Sequence, residues 1–282
     1  MSHDEIEYKD SGIPQPYHLV EPSIWPILGA FAAGLMMGGA VLFMHKVKIG
    51  SIDLGWGWPI IGLVGVLAIM FVWWRDIISE ATYQKLHSPL VKLGLRYGMA
   101  LFIASEVMFF SAFFWAYFAS ALYPSAAIGG VWPPANIPTV DPFDMPFMMT
   151  LILLLSGTTV TWAHHAVLEG DQRGLVKGLL FTVLLGMSFT VCQVYEYAHA
   201  DFSLKSGIFG STFYIATGFH GLHVIIGTIF LAVCLWRAKK GHFTKDSHFG
   251  LEAAAWYWHF VDVVWLFLFI AVYCYGHGAN SE

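Results

Sequence analysis

The chain has 282 residues, 57% of them hydrophobic, 17% aromatic and only 12% charged, about half the charged share of an ordinary soluble domain. Its 14 Lys and Arg against 19 Asp and Glu give a net charge of −5, so there is no basic field for nucleic acid and none is expected as a partner. Cys192, Cys234 and Cys274 stand apart in apolar stretches, which excludes a disulfide framework, a CxxC metal site and a CxxCH haem attachment.

Residues 1–22 form a polar tail without a basic-then-apolar leader or an Arg-rich amphipathic pattern, so they are expected to be retained ahead of a membrane domain at 23–282. A spanning helix needs about 20 mostly apolar residues. Windows free of Asp, Glu, Lys and Arg predict an all-α integral membrane protein with seven transmembrane helices, at about 24–44, 54–74, 97–122, 145–168, 178–195, 206–236 and 253–275. Glu106 alone interrupts the third and Asp262 alone the seventh. The connection 122–146 carries six of the twelve prolines and no basic residue, which predicts a rigid external loop without regular structure. Trp56, Trp58, Trp73, Trp74, Trp132, Trp236 and Tyr275 fall near the predicted ends, as an aromatic belt would. Alternate connections hold 11 and 3 of the Lys and Arg residues. The positive-inside rule then puts the N-terminus in the cytoplasm or matrix and the C-terminus on the periplasmic or intermembrane side.

Ionisable residues inside a membrane are costly and mark function by default. The deep ones are Glu106 in the third span, His220 and His223 in the sixth, and His259 and Asp262 in the seventh. His220/His223 and His259/Asp262 are i,i+3 pairs on one helix face. A packing role is expected for all four, His259 and Asp262 satisfying each other and the histidines bonding across close helix contacts. Glu106 has no basic residue within a turn, so desolvation is expected to hold it as the neutral acid, either exchanging protons or donating one hydrogen bond. Glu196 and His199 match a Glu-x-x-His pattern but occur once, and are expected to be wetted interfacial groups, as are His164 and His165. No metal site is expected. At the inner face, Trp73, Trp74 and Arg75 close the second span, His87 and Arg96 precede the third and Arg237 closes the sixth. Such a basic and aromatic rim is either ordinary anchoring or a site for phospholipid head groups.

Five long stretches carry a family resemblance: LRYGMALFIASEVMFF (95–110), WPPANIPTVDP (132–142), LLLSGTTVTWAHHA (153–166), ATGFHGLHVIIGT (216–228) and GLEAAAWYWHFVDVVWLFLFIAVY (250–273). In that order they resemble subunit III of the cytochrome c oxidases of the haem-copper superfamily, over about residues 22–275. The resemblance implies an accessory subunit of an aa3-type oxidase without a redox centre. Haem a and copper would lie in subunits I and II, the partner chains, with cytochrome c and oxygen as substrates of the complex. It further implies support for proton uptake into subunit I, protection of the active site during turnover, and helices 1–2 separated from helices 3–7 by a cleft filled with phospholipids. Trp74, Arg75, His87 and Arg237 are then head-group contacts, and Glu106 is the helix-three carboxylate that reacts with carbodiimide. The tail and the length favour a bacterial plasma membrane over a mitochondrial inner membrane. A stand-alone proton or ion transporter and a membrane di-metal oxidase remain the alternatives from other classes.

Overall fold

A computed structural model describes residues 22–278 except 50, 51, 54 and 136. Seven of its helices are long and apolar enough to cross a membrane, and the chain divides after Leu95 into two compact units. The protein is therefore an α-helical multi-pass membrane protein.

The first unit holds α1 (Trp25–Met44) and α2 (Gly57–Thr82). Between them two short strands, β1 (Lys48–Ile49) and β2 (Ile52–Asp53), pair antiparallel with Lys48 opposite Asp53, a small departure from the all-helical expectation. Close approach of α1 and α2 depends on small residues. A Cβ on Gly39 would lie 2.8 Å from the Pro59 nitrogen, and one on Gly62 would collide with the Met36 backbone. Gly39 and Gly62 are accordingly the buried residues of these two helices. The Trp25 Nε1–H donates to Asp76 Oδ2 at 2.9 Å, so the start of α1 is tied to the later turns of α2. That helix runs eight residues past the expected end at 74, because the segment Asp76–Thr82 is still helix-compatible where its hydropathy has fallen; Trp74 and Arg75 lie within the helix and do not close it.

Helix α3 (Pro89–Leu122) also begins earlier than expected. Ser88 precedes Pro89, and the Val91 N–H donates to Ser88 Oγ at 3.3 Å, the combination of a capping hydroxyl and an early proline that starts a helix.

The second unit is built on α4 (Met145–Glu169), α5 (Gln172–His199), α6 (Gly207–Lys239) and α7 (Phe249–Leu268), which continues through a π-helical turn (Phe269–Cys274) into the short α8 (Tyr275–Gly278). Helices α4 and α5 form a tight hairpin. Gly170 takes the left-handed conformation (φ 81°) that ends α4, and Asp171 Oδ1 accepts from the Arg173 and Gly174 N–H groups at 3.0 Å to start α5. Gln172 Nε2 then donates to the Ala238 carbonyl near the end of α6. α4 packs on α5, α5 on α6, α6 on α7 and α7 back on α4, and Phe110, Tyr117 and Ala121 of α3 join the same core.

Two tryptophans lock α7 onto α4. Trp258 Nε1 donates to Ser156 Oγ at 2.8 Å and Trp265 Nε1 to Thr150 Oγ1 at 2.9 Å, with both indoles fully buried. Thr159 and Thr182 share a hydrogen bond of 2.8 Å between α4 and α5. Hydrogen bonds and close packing have to supply this cohesion, since lipid removes most of the hydrophobic drive between helices. The 122–146 connection is irregular apart from one turn of 3₁₀ helix (Ala126–Ile128). Its Trp132 is buried, with Nε1 at 3.4 Å from the Tyr117 hydroxyl; it belongs to the core and not to the expected aromatic belt.

Candidate functional site

Glu106 is not the isolated carboxyl expected from its own helix. Its Oε2 lies 2.9 Å from His223 Nε2 on α6, and His223 Nδ1 lies 2.6 Å from the Phe219 carbonyl. A carbonyl only accepts, so Nδ1 carries a hydrogen. At 2.9 Å two bare acceptors would repel, so one proton must sit between Oε2 and Nε2. Imidazolium with carboxylate and imidazole with carboxylic acid are its two limiting positions, and both leave the pair neutral overall. Phe109 and Phe110 rings stand 6.0 and 4.9 Å from the His223 ring, giving the pair apolar walls. The sequence carried the i,i+3 relation of His220 and His223 but no sign that His223 reaches across to α3.

His220, one turn earlier on α6, has different partners. Fully buried, it donates from Nε2 to the Val261 carbonyl of α7 at 3.1 Å and lies against Phe189 and Trp265. His259 and Asp262 do not pair with each other among the described residues. His259 Nε2 instead contacts Thr161 Oγ1 at 3.2 Å, and Asp262 Oδ1 is buried with no hydrogen-bond partner. The i,i+3 spacing places both on one face, and that face meets α4 at Gly157: a Cβ there would lie 3.0 Å from Asp262 Oδ2 and 3.7 Å from His259 Nδ1.

A further buried carboxyl escaped the sequence reading. Glu196, expected to be wetted, is only 5% exposed and accepts from the Tyr273 hydroxyl at 2.7 Å. The π-helical turn Phe269–Cys274 contains that tyrosine, and insertions of this kind re-aim side chains. The apolar surroundings of position 273 concealed it, since a tyrosine at a helix end reads equally as an interfacial anchor. His199 fits the interfacial expectation better: it is exposed, with Nδ1 at 2.9 Å from the Tyr195 carbonyl. Among the described residues no three His, Cys, Asp or Glu side chains converge as a ligand set.

The rim residues fall in both units and are described separately. In the first, Trp74 is exposed, Arg75 pairs with Asp76 at 3.3 Å while staying largely in the open, and His87 is half-buried in the connection to α3. In the second, Arg237 is half-buried in the last turn of α6, with its guanidinium carbon 4.6 Å from the Phe243 ring centroid. Burial, then Arg237 and Lys240, hold His242 below the usual histidine pKa. Arg96, expected at the same rim, grips Glu252 of α7 through Nε and Nη2 at 2.9–3.0 Å, so it braces α3 against α7.

A family model described as cytochrome c oxidase subunit III matches residues 15–277. The cytochrome c oxidase subunit 3 of Prototheca wickerhamii is 55% identical over 261 residues, covering 93% of this chain and 98% of its own length. The proteins of the same name from Danio rerio and Cyprinus carpio are each 53% identical over 260 residues, covering 92% of this chain and 97% of theirs. Identity of this extent, on a chain with seven membrane-length helices, shows that it belongs to the cytochrome c oxidase subunit III family.

Proposed function

We propose that the chain is the accessory subunit III of an aa3-type cytochrome c oxidase, assembled with subunits I and II and having no redox centre of its own. Haem a and copper lie in those partners, which move electrons from cytochrome c to oxygen and pump protons. This chain supports proton uptake into subunit I and protects its oxygen-reducing centre during turnover. The observation that carries the reading is the Glu106–His223 pair, a proton-holding couple across α3 and α6. A neutral pair of this kind can pass its proton between two atoms without moving net charge into hydrocarbon, which suits an auxiliary proton route.

Phospholipid is the second element of the proposal. Trp74, Arg75 and His87 of the first unit and Arg237 of the second are head-group contacts, each arginine being able to grip a phosphodiester bidentately. The N-terminus is inside and the C-terminus outside, in a bacterial plasma membrane. Replacing both Arg75 and Arg237 by Ala is expected to strip tightly bound phospholipid from the purified oxidase, and unchanged lipid content would remove this part of the proposal.

The main test is oxygen consumption against time, with and without this chain, at two pH values. The depleted oxidase is expected to start normally, to lose activity more steeply at high pH where protons are scarce, and to inactivate after fewer turnovers. Identical pH dependence and lifetime would reduce the chain to a passive assembly partner. A stand-alone transporter would instead carry protons or ions when the chain alone is placed in liposomes.

A further inference from the structure

The surface of the second unit carries an open notch of about 340 Å³ between α4 and α7, lined by Leu154, Gly157, Thr158, Thr161, His259 and Asp262. Gly157 is the floor, because both Asp262 Oδ2 and His259 Nδ1 lie within 4 Å of where its Cβ would be. Gly157 lies near the middle of α4, and His259 and Asp262 lie near the middle of Phe249–His277. The notch is thus at hydrocarbon depth, about 15 Å from either head-group layer.

Its hydrogen-bonding capacity is one-sided. The Thr161 hydroxyl donates to the Gly157 carbonyl at 2.9 Å and the Thr158 hydroxyl to the Leu155 carbonyl at 2.7 Å. In the tautomer that matches a Thr161 hydroxyl donating to Gly157, His259 Nε2–H donates to Thr161 Oγ1 at 3.2 Å and Nδ1 is left as an acceptor. Asp262, 8% exposed, adds Oδ2, which faces the Gly157 floor of the notch, while its Oδ1 is buried beneath without a hydrogen bond among the described residues. Even with the carboxyl protonated, acceptors outnumber donors.

Lipid tails bring no donor to this depth, and head groups do not reach it. A second copy of the chain would bring acceptors to acceptors, so the face is not self-complementary. We infer that this notch seats a transmembrane helix of a partner subunit that presents a side-chain N–H or O–H donor to Asp262 and His259. Gly157, itself buried, keeps the notch open, because a side chain there would fill the space beside Asp262 Oδ2. The inference rests on the proposal that the chain is a subunit of a larger oxidase.

The experiment uses the assembled oxidase with a photoreactive benzoylphenylalanine in place of exposed Leu154, beside a control at exposed Ile229 on the apolar face of α6. Irradiation at position 154 is expected to join this chain to a polypeptide of another subunit, while position 229 yields mainly lipid adducts. Independently, Asp262→Ala is expected to raise loss of the chain on detergent washing by about 3- to 30-fold, and Asp262→Asn, which keeps an acceptor oxygen, to stay within about threefold of wild type. Adducts at 154 only to lipid or to a second copy, or an Ala variant retained as well as wild type, would overturn the inference. Failure of the wild-type chain to co-purify with haem-bearing chains would instead defeat the subunit proposal itself.

Discussion

The Trp258 indole offers a direct contest between packing and helix propensity. It is fully buried, its Nε1 is bound to Ser156, and glycines from two helices face its benzo ring. A Cβ on Gly227 would stand 2.8 Å from Trp258 Cε3 and 3.2 Å from Tyr257 Cε1, and one on Gly186 would stand 2.8 Å from Trp258 Cη2. Carbon atoms pack at about 3.5–4.0 Å, so Gly227→Ala demands a shift of about 0.7 Å from a ring that cannot yield without stretching its hydrogen bond. Overpacking of this kind costs about 1–3 kcal/mol, against about 1 kcal/mol that alanine returns in helix propensity. The expected net loss is about 1 kcal/mol, measured by SDS titration of the purified oxidase in mild detergent. Trp258→Phe removes the benzo ring, so Gly227→Ala in that background should cost at least about 1 kcal/mol less than in the wild type. A Gly227→Ala protein more stable than wild type, or strictly additive effects in the two backgrounds, would refute the reasoning.

Glu106→Gln keeps an N–H that can donate to His223 Nε2, so assembly and oxygen reduction should persist with a loss under about 1 kcal/mol in chain retention; complete loss of turnover in an assembled variant would make the pair part of an obligatory path. His223→Leu strands the carboxyl and should cost about 1–3 kcal/mol in the same retention assay. Asp171→Ala removes the one oxygen that accepts from both the Arg173 and Gly174 N–H groups at the start of α5 and should destabilise the α4–α5 hairpin by about 1 kcal/mol, read in the SDS titration. His242 is held below its ordinary pKa in the folded protein, so the unfolded chain binds its proton first as pH falls. Stability should therefore be unaffected above the ordinary histidine range and decline as pH falls through it towards the depressed folded value, a slope that His242→Gln should reduce in melts between pH 5 and 8.

Hydropathy alone defined seven spans, because hydrocarbon sets a length of about 20 apolar residues and every charge within one stands out. Glu106, His220, His223, His259 and Asp262 were legible as intramembrane polar groups for the same reason, and the five family stretches lay in the sequence in order. The partners of those groups were not legible. A helix displays its i,i+3 neighbours in sequence, but whether His223 meets Glu106, or whether His259 turns from Asp262 to Thr161, depends on which faces of α3, α4 and α6 come together. Glu196 and Trp132 were misplaced for a related reason: a π-helical turn and a folded loop buried residues that their linear position put at an interface. Helix ends also ran past the apolar windows, since capping by Ser88 and Asp171 and not the edge of the hydrocarbon decides where a backbone begins to coil. Composition determines that this chain lives in a membrane and how often it crosses; only the packing of the helices decides which polar atoms find one another, because these bonds join residues up to 156 positions apart through faces that no local pattern records.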